Sequence, residues 1–300
     1  MVFASRLARL VAFGILITVL ASFIAYSSFG TSEDAVSYQY KYRPLRMGTQ
    51  IQIEVVRSDG TRIGVANCSL GFPAYYEVVD SGLGVATVCY GVVTASHCGY
   101  VGNRVYQNAT GTDNYIGYMR DEGRLGLGEE VLNANMLSDS TFITVECYTY
   151  NVGNPRPRPQ IVSGIIHAST SVVISGYISS EQDLWQAYQN QIVLYKSGRT
   201  TGLEAGRLML CNGYNIACQN PTVNYSFLFN AYCWYGDSGG SVYRLIVYRE
   251  VSYAIVFGIT VGFSEYDCSR DALGVQLCRP TAAAILYNIT ADLKITPYSG

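Results

Sequence analysis

Six consecutive residues, Tyr235-Gly236-Asp237-Ser238-Gly239-Gly240, carry the strongest signal in this chain. A serine between Gly-Asp and Gly-Gly fits a tight turn that exposes the hydroxyl and directs backbone N–H groups to one point. Acyl transfer needs both features, a nucleophilic oxygen and a preformed site for negative charge. An ordinary glycine-rich turn is the alternative explanation of the same six residues.

The chain contains two histidines, and their surroundings differ. His97 ends an apolar stretch, in Thr94-Ala-Ser-His-Cys98, where a rigid strand would hold the imidazole in place. His167 lies in a stretch with no motif, and we expect it to be structural. His97 is therefore the candidate base for the Ser238 hydroxyl.

A histidine base needs an acid that fixes its tautomer. Asp139 is the best candidate, because it precedes an apolar strand that begins at Thr141 and can be desolvated against an imidazole. A turn at the start of that strand is the alternative explanation of Asp139. Asp113 and Asp121 lie in polar, glycine-rich stretches, and we expect both to be solvated loop residues.

The composition of the 300 residues favours β structure. Tyrosine occurs 26 times and glycine 30 times, with many Val, Ile and Thr. Alternating stretches such as Ile51–Val56 and Ser252–Val261 predict strands, whereas Asn154-Pro-Arg-Pro-Arg-Pro159 predicts a loop. Ala282–Leu293 predicts a helix with Thr281 as its N-cap. The net charge of −2 gives no reason to expect a nucleic-acid partner.

Residues 1–32 predict a signal peptide or a signal anchor. Two arginines precede an uncharged run that ends at Ser32, an order that places the N-terminus in the cytoplasm and the rest outside. The length of the run fits a retained membrane anchor and a cleaved signal peptide, with a buried core helix as the third alternative. We expect residues 33–46 to be a linker and residues 47–300 to form one exported domain, which is secreted or held at the extracellular side of the membrane.

The order His97, Asp139, Ser238 is that of chymotrypsin-type serine proteases. Four stretches resemble bacterial secreted proteases of the streptogrisin and alpha-lytic protease type. They are Gly91-Val-Val-Thr-Ala-Ser-His-Cys-Gly99 together with Cys68, Lys196-Ser-Gly-Arg-Thr-Thr-Gly202, Cys233-Trp-Tyr-Gly-Asp-Ser-Gly-Gly-Ser241, and Gly258-Ile-Thr-Val-Gly262. The resemblance covers roughly residues 50–293.

The resemblance implies an all-β fold of two six-stranded antiparallel barrels with a cleft between them. The first barrel would span about 47–180 and the second about 190–280, followed by a C-terminal helix over about 281–293. The triad would be divided between the barrels, with the histidine and the aspartate on the first and Ser238 on the second.

The resemblance also implies a serine endopeptidase that acts on protein or peptide substrates. Ser238 would attack the carbonyl, His97 would transfer the proton, and Asp139 would orient His97. The N–H groups of Gly236 and Ser238 would hold the oxyanion. Neither a metal nor an organic cofactor is required, and we expect a monomer.

A buried ion pair is a further expectation. The bacterial relatives place a cation directly before the Ser-Gly-x-Thr-Thr-Gly hairpin, and Lys196 stands at that position here. We expect Lys196 to pair with Asp237 and to hold the oxyanion loop in shape, with a surface lysine as the alternative. The chain has no Ile-Val-Gly-Gly site of the kind that activates animal digestive proteases.

Nine cysteines in an exported chain predict disulfides and leave at least one thiol outside an intramolecular pair. The resemblance implies the bridges Cys68–Cys98 and Cys233–Cys268. We expect a small loop closed by Cys211–Cys218. The cysteines without an assigned partner are Cys89, Cys147 and Cys278.

The substrate cleft departs from the family pattern. The cleft strand Val261-Gly262-Phe263 has valine where relatives have serine, and Phe263 stands in place of a glycine. Phe263 would therefore narrow the primary pocket. At the start of the loop before Ser238, the chain has Tyr232 and Trp234 rather than a carboxylate that would bind a basic side chain. We expect small or medium apolar residues at the cut site.

Two other functions are compatible with the same motifs. A heat-shock-type quality-control serine protease shares the triad, but such proteins usually carry a peptide-binding domain after it, and this sequence ends shortly after the predicted helix. A catalytically inactive, protease-like binding domain is the alternative from another class. The intact triad argues against it, because a pure binder has no chemical need for all three residues.

Overall fold

The computed structural model describes residues 38–120, 137–211, 213–220, 224–270 and 276–299. The predicted signal segment at residues 1–32 and the predicted loop residue Asp121 lie outside the described residues. No helix among the described residues is both long enough and apolar enough to cross a bilayer.

The described residues form eighteen strands and two α-helices. The first ten strands are β1 (Leu45–Met47), β2 (Gln50–Val56), β3 (Arg62–Ser69), β4 (Pro73–Asp80), β5 (Val85–Thr94), β6 (Arg104–Gln107), β7 (Tyr115–Met119), β8 (Thr141–Asn151), β9 (Val162–His167) and β10 (Thr170–Tyr177). The other eight are β11 (Val193–Gly198), β12 (Gly202–Met209), β13 (Cys218–Asn220), β14 (Asn224–Phe229), β15 (Ser241–Tyr248), β16 (Val251–Arg270), β17 (Gln276–Ile285) and β18 (Thr296–Pro297). The helices are α1 (Glu181–Gln189) and α2 (Leu286–Leu293), and short 3-10 helices cover Ser96–Cys98 and Thr112–Asn114.

Six strands of the C-terminal half form a closed antiparallel ring. The pairing runs β11–β12–β14–β17–β16–β15 and returns from β15 to β11. Fully buried side chains such as Leu194, Phe227 and Phe229 belong to its core. This ring is the second barrel of the expected fold, and ring closure leaves its strands without a free edge.

The N-terminal sheet closes in a different way. Its strands pair in the order β18–β4–β5–β8–β7–β6–β2–β3. Apart from β18, the strands at the two ends of this sheet are β4 and β3. They are not paired with each other but are joined in sequence through residues 70–72. If β3 and β4 are counted as one bent strand, the first barrel has six strands, and β18 is an additional strand on its outside.

The bend at residues 70–72 depends on a close backbone approach. Leu70 donates to the carbonyl of Thr49, whereas Gly71, only one residue later, donates to the carbonyl of Val93 at 2.8 Å. A Cβ atom on Gly71 would lie 2.7 Å from the Val93 oxygen and 2.8 Å from the Gly239 oxygen, and would overlap the side chain of Ile259. Glycine is therefore the residue that fits at this corner.

The boundary between the barrels differs from the expected one near residue 180. The strands β9 and β10 belong to the sheet of the second barrel, because β10 pairs with β16 in parallel. Part of the expected linker is also structured, since Tyr38 is fully buried and β1 pairs with β9. These contacts come from distant parts of the chain, and local patterns do not encode them.

The predicted helix over Ala282–Leu293 begins later than expected, at Leu286. Ala282 to Ala284 pair with both β14 and β16 inside the second barrel, and Ala284 is fully buried. The helix preference of alanine, below about 1 kcal/mol per residue, is outweighed by two ladders of hydrogen bonds and by burial. Thr281 is not an N-cap, because its hydroxyl donates to the carbonyl of Ala231 at 2.8 Å.

The helix α1, between β10 and β11, was not expected. It begins after Ser180, whose N–H donates to the carboxylate of Asp183 at 3.0 Å. Ser180-Glu-Gln-Asp183 is a capping-box pattern, so the signal for this helix start is present in the sequence.

Replacement of Gly71 by alanine should destabilise the domain by about 1–3 kcal/mol, because the new methyl group overlaps backbone and Ile259 at the bend. The measurement is the midpoint of urea unfolding. Gly64→Ala in β3 is the matched control, since a Cβ there meets nothing within 4 Å, and it should change stability by less than about 0.5 kcal/mol. Equal stability of the two variants would show that the bend tolerates a side chain.

Candidate active site

His97 and Asp139 emerge from neighbouring strand ends. Thr94, the last residue of β5, lies opposite Thr141, the first residue of β8. His97 lies in the 3-10 helix just after β5, and Asp139 lies just before β8. The pairing of these two strands brings the residues together, and His97 Nδ1 lies 2.5 Å from Asp139 Oδ2.

Asp139 is almost completely buried, and hydrogen bonds hold its carboxylate. Oδ1 accepts from the N–H of Ser96 at 3.0 Å, the N–H of His97 at 3.1 Å and the Ser96 hydroxyl at 2.6 Å. Burial raises the pKa of Asp139, but the charge of His97 and these hydrogen bonds outweigh it and hold the pKa below its usual value. Asp139 is therefore ionised at neutral pH.

His97 connects this buried carboxylate to the surface, with 39 % of its side chain exposed. Burial lowers the pKa of His97, and the charge and hydrogen bond of Asp139 raise it by more, so that the net shift is upward. The hydrogen bond at Nδ1 also selects the tautomer with its proton on that nitrogen, which leaves Nε2 as an acceptor.

Ser238 lies in the loop between β14 and β15, on the second barrel. Its Oγ is 2.8 Å from His97 Nε2. The carbonyl of Ser238 accepts from the N–H of Ser69 at 2.8 Å, so the last residue of β3 fixes the loop against the first barrel. The structure therefore brings His97, Asp139 and Ser238 into one hydrogen-bonded line.

Two N–H groups of the turn that carries Ser238 have no hydrogen-bond partner among the described residues, those of Gly236 and Ser238. The intervening N–H of Asp237 donates to the carbonyl of Trp234 at 3.1 Å, and Gly239 donates to Thr260. Gly236 has a φ of 98°, a left-handed conformation that favours glycine. This turn leaves the two expected donors available for an oxyanion.

Below the loop, Lys196 and Asp237 form an ion pair at 2.9 Å, and both side chains are fully buried. Asp237 Oδ1 accepts from the N–H groups of Thr200 and Thr201 at 2.8 and 3.1 Å. Oδ2 accepts from the Thr201 hydroxyl and from the N–H of Trp234. The nucleophile loop is thus attached to β11 and to the hairpin that follows it, at the residue next to Ser238.

Each member of this pair keeps the other charged. Burial lowers the pKa of Lys196, and the charge of Asp237 raises it by more. Burial raises the pKa of Asp237, and Lys196 with the hydrogen bonds lowers it by more. The nearby carboxyl of Glu204 has a raised pKa, because burial outweighs the attraction to Lys196.

Four residues that the sequence did not nominate hold the site in place. Ser69 Oγ donates to the carbonyl of Gly236 at 2.9 Å and accepts from the N–H of Arg199. The others are Ser96, Thr200 and Thr201, described above. Thr200 and Thr201 lie in the quoted hairpin and Ser96 precedes His97, so a sequence signal existed for these three. Ser69 and Gly236 are 167 positions apart, and no local pattern connects them.

Of the residues expected to set the substrate specificity, Trp234 and Phe263 lie together in the structure, whereas Tyr232 does not join them. The rings of Trp234 and Phe263 lie 5.2 Å apart, and Tyr235 packs edge-on to Phe263 at 5.4 Å. Tyr235 was not expected in this cluster. Val261 is buried, and Tyr232 lies under the guanidinium of Arg279 at 5.0 Å.

The disulfides agree with two expected pairs and contradict one. Cys68–Cys98 and Cys211–Cys218 are formed, and Cys89 pairs with Cys147. The expected bridge Cys233–Cys268 is wrong, because Cys268 bonds to Cys278 and Cys233 is a buried free thiol. Residue 278 on β17 lies between the other two and is opposite both of them, so β17 separates Cys233 from Cys268. Burial raises the pKa of the Cys233 thiol.

The other polar candidates lie away from the triad. His167 Nδ1 is 2.9 Å from the hydroxyl of Tyr243, and its ring packs on Tyr195. Burial lowers the pKa of His167. Asp113 is exposed in the 3-10 helix at Thr112–Asn114. Within the described ranges, no group of three or more His, Cys, Asp or Glu side chains is placed to hold a metal ion.

Lys196→Ala should destabilise the domain by about 3–5 kcal/mol, because it leaves the Asp237 carboxylate buried without its counter-charge. The measurement is urea unfolding at neutral pH. Lys294→Ala, at an exposed position after α2, is the control and should stay within about 0.5 kcal/mol of the parent. A loss below about 1 kcal/mol for Lys196→Ala would contradict the structural role of the pair.

No protein-family model matches the chain, and no curated protein matches it. Among solved structures it is similar to Thermobifida fusca protease A, at 16 % identity over 85 % of this chain and 98 % of that one, with a TM-score of 0.47. It is similar to Cellulomonas bogoriensis chymotrypsin at 16 % identity over 85 % and 98 % of the two chains, with a TM-score of 0.46. A glutamic-acid-specific serine protease gives 16 % identity, 85 % and 100 % coverage and a TM-score of 0.47.

Proposed function

We propose that the chain is an exported serine endopeptidase of the chymotrypsin type, which hydrolyses peptide bonds through an acyl-enzyme. The observation that carries the proposal is the line Asp139–His97–Ser238, with distances of 2.5 Å and 2.8 Å at the two imidazole nitrogens. A buried carboxylate, an exposed imidazole and a hydroxyl in this order are the parts that nucleophilic acyl transfer needs.

In the first half-reaction, Ser238 Oγ attacks the peptide carbonyl carbon while His97 Nε2 accepts the hydroxyl proton. Asp139 remains ionised and stabilises the imidazolium, consistent with its lowered pKa. The imidazolium then gives its proton to the leaving amine as the C–N bond breaks, which leaves the acyl group on Ser238.

In the second half-reaction, water replaces the amine. His97 accepts a proton from the water as its oxygen attacks the acyl carbon. It returns that proton to Ser238 Oγ as the bond between the acyl carbon and Oγ breaks, which releases the carboxylic acid product. In both halves the carbonyl oxygen becomes negative beside the unpaired N–H groups of Gly236 and Ser238. Loss of one such donor typically costs 10²- to 10³-fold in rate in this class of site.

Export is supported by the four disulfides of the described residues, because such bonds persist in oxidising compartments. Whether residues 1–32 act as a signal peptide or as an anchor stays a prediction. Monomeric state likewise stays a prediction.

For the cut site we propose small or medium apolar side chains. Trp234, Tyr235 and Phe263 form one ring cluster on the loop before Ser238 and on the cleft strand. Aromatic rings there reduce the space for a large side chain and offer no carboxylate to a basic one.

An inactive binding domain is less well supported. Such a domain has no need of a hydrogen-bonded serine and imidazole or of two unpaired N–H groups at a glycine turn. No observation on the described residues favours a quality-control protease over the simpler endopeptidase.

A fluorophosphonate probe should label the wild-type protein, and Ser238→Ala should abolish the labelling, because the probe reacts with an activated serine hydroxyl. The measurement is intact-protein mass. Ser58→Ala, at an exposed turn, is the matched control and should label like the wild type. An unlabelled wild type would support the binding domain.

The rate of labelling should rise with pH through the pKa of His97, which is raised above its ordinary value, since only the neutral imidazole accepts a proton.

Phe263→Ala should broaden the cut-site preference towards larger apolar residues, because it removes the ring that the cleft strand contributes to the cluster. A peptide library read by mass spectrometry measures the preference. Tyr248→Ala, an exposed aromatic at the β15–β16 turn, is the control and should leave the profile unchanged. A profile dominated by basic residues in the wild type would refute the apolar preference.

A further inference from the structure

We propose that a cavity on the side of the molecule formed by β4, β5 and β10 binds acidic segments of polypeptides. The cavity, called the tyrosine cavity below, has a volume of about 630 Å³. Its lining includes Tyr75, Tyr90, Tyr298, Arg156, Arg158 and Pro159. None of the triad or oxyanion residues lines it, so it is separate from the proposed active site.

Three tyrosine rings make the walls. Tyr75 on β4 lies opposite Tyr90 on β5, and their ring centroids are 5.7 Å apart. Tyr298, which follows β18, packs edge-to-face on Tyr90 at 5.3 Å. The Tyr90 hydroxyl donates to the carbonyl of Pro157, so the proline-rich segment is fastened to the same wall. The walls are held by packing and are preformed for a ligand.

The charged side chains that line the cavity are positive, although the carboxylate of Glu146 also acts on the Tyr298 hydroxyl. Arg156 and Arg158 line it, and no Asp or Glu is among its lining residues. The Arg156 guanidinium lies over the ring of Tyr75 at 4.0 Å and is 3.8 Å from Glu77, a distance that leaves the pair loose. Arg158 is exposed and has no ion pair or hydrogen bond with another described residue. At least one guanidinium is therefore free to bind a carboxylate.

Two buried polar atoms at the cavity are also unpaired. Arg156 Nε and the Tyr298 hydroxyl are both inaccessible to solvent and have no hydrogen-bond partner among the described residues. Burial raises the pKa of Tyr298, so its hydroxyl stays protonated and can donate. Buried donors without a partner cost free energy, and a turn of either side chain towards the cavity would bring its donor to an acceptor on a ligand and remove that cost.

These features together match an acidic peptide segment. A guanidinium binds a carboxylate through paired N–H donors, and tyrosine rings with prolines pack against the apolar atoms of the neighbouring residues. The volume is in the range that holds ligands of the size of a short peptide. Binding at the tyrosine cavity, in addition to binding at the active site, would retain a polypeptide substrate near Ser238. This consequence rests on the proposed function, whereas the binding of an acidic peptide does not.

Binding is tested on Ser238→Ala, which cannot cleave the probe. The probe is a fluorescein-labelled hexapeptide with two glutamates between prolines, and its glutamine counterpart is the neutral reference. Fluorescence anisotropy should show at least about tenfold tighter binding of the acidic peptide, the effect of one charge-assisted contact. The difference should shrink in high salt, since Arg158 is exposed.

Arg158→Gln on the same background should reduce the affinity for the acidic peptide to that of the glutamine peptide. Arg249→Gln is the matched control, because Arg249 also packs on a tyrosine, Tyr248 at 5.2 Å, but lies outside the cavity. It should leave the binding unchanged. The midpoint of urea unfolding is measured for both variants. Unchanged midpoints show that a difference in peptide affinity does not come from a loss of folding stability.

Three results would overturn the proposal. They are equal affinity for the two peptides, unchanged binding in Arg158→Gln, and arginine-dependent binding of a heparin oligosaccharide without binding of the acidic peptide. Fluorophosphonate labelling of the wild type reports on Ser238 alone. Labelling without peptide binding would therefore refute the cavity and leave the proposed function standing.

Discussion

The short bend from Ser69 to Phe72 is the constraint on which the rest of the structure depends. It closes the first barrel by joining β3 to β4, where no strand pairing does so. The same residue that ends β3 donates from Ser69 N to the carbonyl of Ser238 and from its hydroxyl to the carbonyl of Gly236. Because His97 leaves the first barrel two strands later, one bend sets the position of the second-barrel loop relative to the imidazole, and with it the 2.8 Å contact at Ser238.

Two buried aspartates near this junction have different partners, and the partners explain their roles. Asp237 faces Lys196, whose pKa is raised, so that this pair keeps a constant charge over the neutral range and serves to hold the loop. Asp139 faces His97, whose ordinary pKa is near 6.5 and which reaches solvent. Only the second carboxylate sits beside a group that can gain and lose a proton at neutral pH, which is what proton transfer in the proposed reaction requires.

Much of the site was predictable, because its chemistry depends on residue types in short, local contexts. A serine in a glycine turn and a histidine at a strand end were sufficient to nominate Ser238 and His97, whereas the Lys196–Asp237 pair was expected from the resemblance. The errors arose where tertiary pairing overrides local preference. Residues 282–285 have helical propensity but complete the second barrel, and Cys268 bonds to Cys278 because β17 lies between it and Cys233.

By itself the sequence determined the all-β character, the three candidate catalytic residues and the need for disulfides, since these follow from composition and from contacts within a few residues. The tertiary structure decided what depends on distant pairing: the bend that closes the first barrel, the Ser69 contacts across 167 positions and the tyrosine cavity. The turn Gly236-Asp237-Ser238 belongs to both groups. Its residues mark a nucleophile, but only its attachment to Ser69, Lys196 and the hairpin at Thr200–Thr201 aims the hydroxyl at His97, because a glycine-rich turn alone has too many accessible conformations to do so.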